Sequence, residues 1–198
     1  MTKSSNRVRA LTGTAMLAAV ATVLMYMEFP IPVMPAFIKM DISELPALIA
    51  SFAYGPGAGI LVCLIKNLIK LPSTSTAAVG ELFNFVMGAL FVGVAGIVYK
   101  LKKSRKSAVI GAVAGAIVMA LVSLPYNYFV VYPAYVVMYH LPLDAIIGMY
   151  QAINPNVDGL LACLVTFNVP FTFVKGMVDA VLCFLIYKPL SPILHGRK

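Results

Sequence analysis

Four polar side chains recur at helical spacing within an apolar segment near the C-terminus. They are Asn168, Thr172, Lys175 and Asp179, at positions i, i+4, i+7 and i+11. At 100° per residue they fall within about 60° of one another on one face of a helix. A charge at the centre of a membrane helix costs roughly 2.5–3.5 kcal/mol, so such residues face the bundle interior or a water-filled cavity. The stripe therefore predicts a face that could bind a polar ligand.

Lys175 and Asp179 allow two interpretations. They could simply neutralise each other as an i, i+4 pair. That pairing leaves Asn168 and Thr172 unexplained and gives no reason for the charges to be present. We therefore predict that Lys175 contacts a ligand and that Asp179, deeper along the stripe, is its structural partner.

A second polar group opens the apolar segment GELFNFVMG, residues 80–88. Glu81 and Asn84 lie near one face with Gly88, where the missing side chain lets another group approach closely. Two alternatives stay open. Glu81 could be an interfacial carboxylate favoured by the helix dipole, and Asn84 could form a hydrogen bond between helices.

Asn127 lies among aromatic side chains in the stretch PYNYF, residues 125–129. An amide both donates and accepts hydrogen bonds, and rings can enclose a flat ligand, so this stretch is a candidate binding element. For Lys66 and Asn67 the default interpretation is packing or pairing with a loop.

The elements that position these residues must be membrane helices. The chain has 198 residues, of which 61% are hydrophobic and 11% charged, and a mean hydropathy of +0.94. Soluble domains carry roughly 25% charged residues. Because the apolar runs are continuous and approach or exceed about 20 residues, the sequence predicts an all-α integral membrane protein with a single substrate-binding domain.

Six helices are predicted from the apolar runs and their proline and glycine breaks. Their approximate ranges are 9–27, 43–54, 58–71, 80–99, 107–131 and 160–187. The second is short for a full crossing. The proline-rich stretch EFPIPVMPAFIKMD forbids regular helix and predicts an ordered outer loop. A long connection, 133–158, contains the short amphipathic piece LDAIIGMYQAI.

Basic residues predict the orientation. The formal net charge is +8, and the cations concentrate at the N-terminus, in KLKKSRK (100–106) and at the C-terminus. Short basic clusters beside apolar runs lie on the cytoplasmic side. Six crossings with both termini cytoplasmic satisfy all three clusters and leave the polar side chains mainly in the outer half. The same location argues against nucleic acid as a partner and favours contact with the lipid bilayer.

The sequence lacks the motifs of the common enzymes. No GxxxxGK[ST] phosphate loop occurs, so the chain cannot hydrolyse ATP in the usual way. Neither His140 nor His195 belongs to a metal-spaced cluster or a catalytic triad. The cysteines, Cys63, Cys163 and Cys183, lie in or beside apolar runs and are predicted to be small buried hydrophobes. We predict a binding protein that is not an enzyme and holds no metal or cofactor.

Small residues four apart occur on two predicted helices. Ala15 and Ala19 lie on the first, and Gly111 and Gly115 on the fifth. Each pair leaves a groove where another helix can pack closely. Contact between the protein's own helices is the ordinary interpretation, and a partner protein is the sharper alternative for the first helix.

With these residues in view, the sequence resembles the riboflavin-specific S component of energy-coupling factor (ECF) vitamin transporters. The resemblance rests on five blocks: FIKMDISELPALIASFAYGPGAG (37–59), IKNLIK (65–70), GELFNFVMG (80–88), YNYFVVYPAY (126–135) and PFTFVKG (170–176). It implies a six-helix subunit of a prokaryotic plasma membrane that captures riboflavin from outside. It also implies partners: a transmembrane coupling protein and two ATPases.

The resemblance also implies roles for individual residues. Asn127 matches an asparagine that contacts the isoalloxazine ring, and Lys175 matches a ligand-contacting lysine. Ala15 and Ala19 match the surface for the coupling protein. Thr172 departs from the family pattern, because many relatives have asparagine there, and its ring contact could be lost, remade through water or taken over by Asn168.

Together these arguments predict a substrate-binding set, which is Lys39, Asp41, Glu81, Asn84, Asn127, Asn168, Thr172, Lys175 and Asp179. The transported substrate would be riboflavin. The alternatives are an S component for another vitamin or a modified flavin, a small intramembrane enzyme using Glu81, Lys175 and Asp179, and a standalone carrier driven by an ion gradient.

Overall fold

The computed structural model describes residues 3–74 and 76–195. Its α-helices are α1 Lys3–Tyr26, α2 Glu44–Tyr54, α3 Pro56–Lys70, α4 Val79–Leu101, α5 Arg105–Tyr126, α6 Tyr132–Tyr139, α7 Leu143–Gln151, α8 Gly159–Cys163 and α9 Val169–His195. A 3₁₀ turn, Leu71–Ser73, follows α3, and two short strands, β1 Phe29–Pro30 and β2 Lys39–Met40, separate α1 from α2.

Two pairs of these helices are continuous through π-helical segments. Asn127–Val131 joins α5 to α6, and Leu164–Asn168 joins α8 to α9. The prediction that the fifth helix ends near residue 131 is therefore wrong, since the helical path runs on to Tyr139. Pro133, which suggested the end, lies in the first turn of α6, where a proline is tolerated.

The proline-rich loop between α1 and α2 contains a small β-hairpin. The two strands pair antiparallel, with Phe29 opposite Met40 and Pro30 opposite Lys39. Pro30 fits because a proline is accepted in an edge strand. This strand pairing was not predicted from the sequence.

Four helical runs in the described residues are long and apolar enough to cross a membrane: 7–26, 79–101, 105–138 and 159–187. The other two predicted crossings correspond to α2 and α3, with 11 and 15 residues. Both are shorter than the roughly 20 residues of a typical span. The six-crossing topology and the orientation of the termini stay predictions.

The glycine pair on α5 packs within the protein. A Cβ atom at Gly111 would lie 2.7 Å from the carbonyl oxygen of Ala95, and one at Gly115 would lie 2.5 Å from that of Phe91. The ordinary interpretation of this pair, contact between α4 and α5, is confirmed. On α1, in contrast, Ala15 and Ala19 are exposed.

Candidate ligand-binding site

A cavity of about 180 Å³ lies beneath the hairpin and between α4, α5, α6 and α9. Eight of the nine residues predicted to bind substrate line it, namely Lys39, Asp41, Glu81, Asn84, Asn127, Asn168, Thr172 and Lys175. Asp179 is not among the described residues of the lining. Side chains from the outer loop and from three distant helices thus meet at one place.

Ion pairs form one end of the cavity. Lys175 Nζ lies 2.7 Å from Asp41 Oδ2 and 3.0 Å from Glu44 Oε2. Lys66 Nζ lies 2.6 Å from Glu44 Oε1 and also donates to Ser43 Oγ. We call Asp41, Ser43, Glu44, Lys66 and Lys175 the charged cluster. The contact between Lys175 and Glu44 Oε2 is close enough for an ion pair but is not aligned as a hydrogen bond.

Asp41 is held in its ionised form by its neighbours, although it is buried. Burial would raise the pKa of Asp41, but the ammonium groups of Lys175 and Lys66 and the hydrogen bonds from Lys175 and Ser43 outweigh it, so the pKa falls below its ordinary value. Ser43 donates through both its backbone N–H and its hydroxyl. A carboxylate accepting several hydrogen bonds is held in the charged form.

The ion pair of Lys175 is not the one expected from the sequence. Its partners are Asp41 and Glu44, and the direct pair with Asp179 does not form. Asp179 is 0% exposed, and neither of its carboxylate oxygens has a hydrogen-bond partner in the part of the chain that the structure describes. Within a helix, an i, i+4 ion pair is weaker when the cation is N-terminal to the acid. Lys175 therefore pairs with carboxylates from distant segments.

A second ion-pair group lines the cavity next to the hairpin. Glu28 accepts from Lys39 of β2, with 2.9 Å between Nζ and Oε1, and from Lys70 of α3. Lys70 Nζ also lies 5.7 Å from the ring centroid of Tyr26. Burial would raise the pKa of Glu28, but the two lysines outweigh it and lower the pKa. Lys39 is therefore engaged in fixing the hairpin.

Glu81 and Asn84 approach the cavity from α4. Glu81 Oε2 accepts from the hydroxyls of Thr74 and Thr76 at 2.7 and 2.9 Å. Asn84 Oδ1 accepts from Asn67 Nδ2 at 3.3 Å, which is the interhelical hydrogen bond offered as an alternative. One helical turn beyond Asn84, a Cβ at Gly88 would lie 3.2 Å from Glu44 Oε1, so this glycine does admit a close neighbour.

Neutral groups form the opposite end of the cavity. Tyr150 OH donates to Asn168 Oδ1 at 2.7 Å, Asn168 Nδ2 donates to Tyr132 OH at 3.2 Å, and the two tyrosine hydroxyls bond to each other. We call these three residues the tyrosine–asparagine ring. Phe37 of the outer loop packs edge-on against Tyr132 and Tyr150, with centroids 6.4 and 6.2 Å away.

Asn127 completes this neutral end. Its side chain is 3% exposed and lines the cavity, and Nδ2 has no hydrogen-bond partner within residues 3–74 and 76–195. A buried amide hydrogen without an acceptor is costly, so the position fits a ligand atom that accepts it. Asn127 and Asn168 each lie in a π-helical segment, a feature that recurs at functional sites.

Sequence reasoning missed several residues that build the site. Glu44, at the start of the second predicted helix, was not assigned to the site, and neither were Tyr132 and Tyr150. The first turn of a helix gives an acidic residue an ordinary role, and nothing local in LDAIIGMYQAI distinguishes Tyr150 from an interfacial aromatic. Lys66 does pair across to the end of the outer loop, as its default interpretation held.

Comparisons with known proteins identify the family of the chain. The family model described as "ECF transporter, substrate-specific component" matches residues 9–187. The riboflavin transporter RibU of Staphylococcus aureus is 36% identical over 91% of this chain and 89% of its own. The riboflavin transporter FmnP of Bacillus subtilis is 33% identical over 97% of each chain.

A solved structure has the same fold. It is described as the S component of a bacterial ECF transporter and aligns with a TM-score of 0.74 and 34% identity, over 95% of this chain and 98% of its own.

Proposed function

Because the chain belongs to the family of substrate-specific components of ECF transporters, we propose that it binds riboflavin with high affinity on the outer side of the membrane and delivers it through a separate energising module. The related proteins are transporters, so the chain is not an enzyme. Riboflavin is its substrate and remains chemically unchanged.

The observation that carries the proposal is the division of the cavity into two ends. Riboflavin has a flat isoalloxazine ring with carbonyl and ring-nitrogen acceptors, and a ribityl chain of hydroxyl groups. The neutral end offers Asn127 and aromatic side chains for the ring, and the charged cluster offers Lys175 and Asp41 for the hydroxyls. A ligand with one flat and one polyhydroxylated part fits both ends at once.

Each predicted site residue has a place in this proposal. Lys175 donates to ribityl oxygens, and Asp41 accepts from hydroxyls. Glu81, Asn84 and Thr172 line the walls between the ends, while Lys39 holds the hairpin over the ligand through Glu28. Asp179 would act on the ligand only through Lys175.

Transport itself requires partners. The chain carries no phosphate loop, so ATP hydrolysis falls to two ATPase subunits, coupled through a transmembrane protein. Ala15 and Ala19 are exposed on α1 and leave a groove in which a partner helix can pack closely. We propose six crossings of the cell membrane with both termini cytoplasmic.

Flavin fluorescence quenching on the purified protein in detergent tests the binding. We expect near-stoichiometric quenching by riboflavin that other vitamins do not compete away. Lys175→Met should raise the Kd about 10- to 100-fold, since hydrogen bonds from a charged donor are worth roughly 1.5–3 kcal/mol. The matched control is Lys102→Met, which changes an exposed lysine beyond the end of α4.

The outcomes separate the alternatives. No quenching by well-folded wild-type protein would refute riboflavin as the ligand. Tighter binding of a phosphorylated or ring-modified flavin would favour a modified flavin as the substrate. Uptake in vesicles that contain this chain without ATPase subunits would favour a standalone carrier.

A further inference from the structure

The tyrosine–asparagine ring has one hydrogen-bond donor that is not used within the ring. Each tyrosine has a single hydroxyl hydrogen, and the asparagine oxygen can only accept. The Tyr150 hydrogen goes to Asn168 Oδ1, so the hydrogen between the two hydroxyls comes from Tyr132. One hydrogen of Asn168 Nδ2 goes to Tyr132 OH, and the other lies outside the ring.

This count does not depend on how the amide is oriented. If the oxygen and nitrogen of Asn168 exchange places, the direction of donation around the ring reverses. Tyr132 then donates to the oxygen, and the nitrogen donates to Tyr150. In both orientations one N–H of Asn168, a residue of the cavity lining, remains available.

Asn127 adds a second donor at the same end. Its Nδ2 has no acceptor in the described part of the chain. The neutral end of the cavity therefore offers amide hydrogens from two asparagines, and the matching edge of a ligand carries acceptors. Carbonyl oxygens and ring nitrogens of a flavin are such acceptors, whereas a ligand edge made of donors would leave these buried hydrogens unpaired.

Tyr150 holds this arrangement from outside the cavity. It lies on α7, in the connection before α8, is 0% exposed and is not among the described residues that line the cavity. Its ring packs against Phe37 and Phe167, with centroids 6.2 and 5.3 Å away. Without its hydroxyl, the Asn168 oxygen would lose its donor, and only the bond from Nδ2 to Tyr132 OH would orient the amide.

We propose that Tyr150 is a positioning residue for ligand specificity: it fixes the amide of Asn168 so that the free N–H of Asn168, beside that of Asn127, donates to acceptors on the flavin ring. This inference rests on the proposed function, because the flavin supplies the acceptors. It also gives Asn168 the donor role that Thr172, which has only a hydroxyl, fills less well.

Two substitutions test the proposal with riboflavin titrations at pH 8 and melting curves without ligand. Tyr150→Phe keeps the aromatic packing and should raise the Kd about tenfold, the equivalent of one hydrogen bond. Asn168→Asp keeps the shape of the side chain but replaces NH₂ by oxygen. A neutral carboxylic acid uses its one hydrogen to close the ring, and an ionised carboxylate has none, so in both forms no donor is left for the ligand. We expect a lower melting temperature, a protein that is still folded at the temperature of the titration, and a Kd raised about 100-fold.

Tyr128→Phe is the matched control, because Tyr128 lies in the same π-helical segment as Asn127 and is exposed. It should keep the wild-type Kd within about twofold. Wild-type affinity in Asn168→Asp would overturn the inference alone, even if Tyr150→Phe fails to fold. A wild-type protein that binds no flavin would overturn the proposed function, and this inference with it.

Discussion

Buried polar groups are stabilised in different ways at the two ends of the cavity. The charged cluster joins residues up to 134 positions apart through ion pairs, and its ammonium groups face protein carboxylates. The tyrosine–asparagine ring joins α6, α7 and the segment before α9 with neutral hydrogen bonds and keeps one amide hydrogen unused. We propose that the charged end chiefly holds the helices together, whereas the neutral end discriminates among ligands.

The largest effect on stability should come from removing a charge from the charged cluster. Lys66 is 0% exposed and pairs with Glu44, so Lys66→Met leaves a buried carboxylate short of a cation. We expect the free energy of unfolding to fall by about 3–5 kcal/mol. Denaturation of the purified protein in mixed micelles measures it.

Lys102→Met serves as the control for the lost lysine, because this residue is exposed. It should shift the unfolding free energy by no more than about 0.5 kcal/mol. Equal stabilities of the two variants would show that the charged cluster does not hold the helices together.

The corresponding change at the neutral end should cost less. Tyr132→Phe removes one hydroxyl from the tyrosine–asparagine ring but keeps the edge-on aromatic contact with Phe37. The expected loss is about 1–3 kcal/mol of unfolding free energy, because this hydroxyl forms two neutral hydrogen bonds in the ring. Measured beside Lys66→Met in the same assay, a loss as large as that variant's would remove the distinction between the two ends.

A smaller effect on stability is expected at Glu28, which joins the hairpin to α3 through Lys39 and Lys70. Its lowered pKa means that the carboxylate stabilises the fold above the ordinary glutamate pKa, and that this contribution is lost as the pH falls through the lowered value. Glu28→Gln should therefore melt below the wild type at pH 7. The difference should vanish at acidic pH, and a difference independent of pH would contradict the role of the charge.

The smallest effect is expected at Asp179. Its oxygens have no hydrogen-bond partner among the described residues, so Asp179→Asn removes no ion pair and should destabilise by less than about 1 kcal/mol. If Asp179 were instead the direct partner of Lys175, its loss would cost about 3 kcal/mol or more. Thermal unfolding of this variant distinguishes the two cases.

Much of this architecture could be predicted from local sequence. Continuous apolar runs predict the helices, three prolines predict the irregular outer loop, and the spacing of the C-terminal stripe brings Asn168, Thr172 and Lys175 to one cavity. The predictions that failed concern contacts between segments that are distant in the sequence. The partners of Lys175 follow α1 and open α2, and a helical pattern with a period of 3.6 residues says nothing about which loop will cover it.

The π-helical segments were also beyond local prediction. An extra residue in a turn changes which side chains face inward, but the stretches NYFVV and LVTFN carry no composition that sets them apart from α-helix. Tyr150 was missed for a related reason, because its importance lies in a hydroxyl that meets Asn168 after α7 has folded back.

The pairing of Lys175 with Asp41 and Glu44 also bears on the order in which the protein is made. A ribosome delivers the N-terminal residues first, so both carboxylates are synthesised long before α9. An isolated α9 would pay roughly 2.5–3.5 kcal/mol to bring Lys175 into lipid. In the folded protein Asp41 and Glu44 lie 2.7 and 3.0 Å from Lys175, so two residues synthesised earlier offset this cost. We therefore expect α9 to insert less readily when both carboxylates are removed.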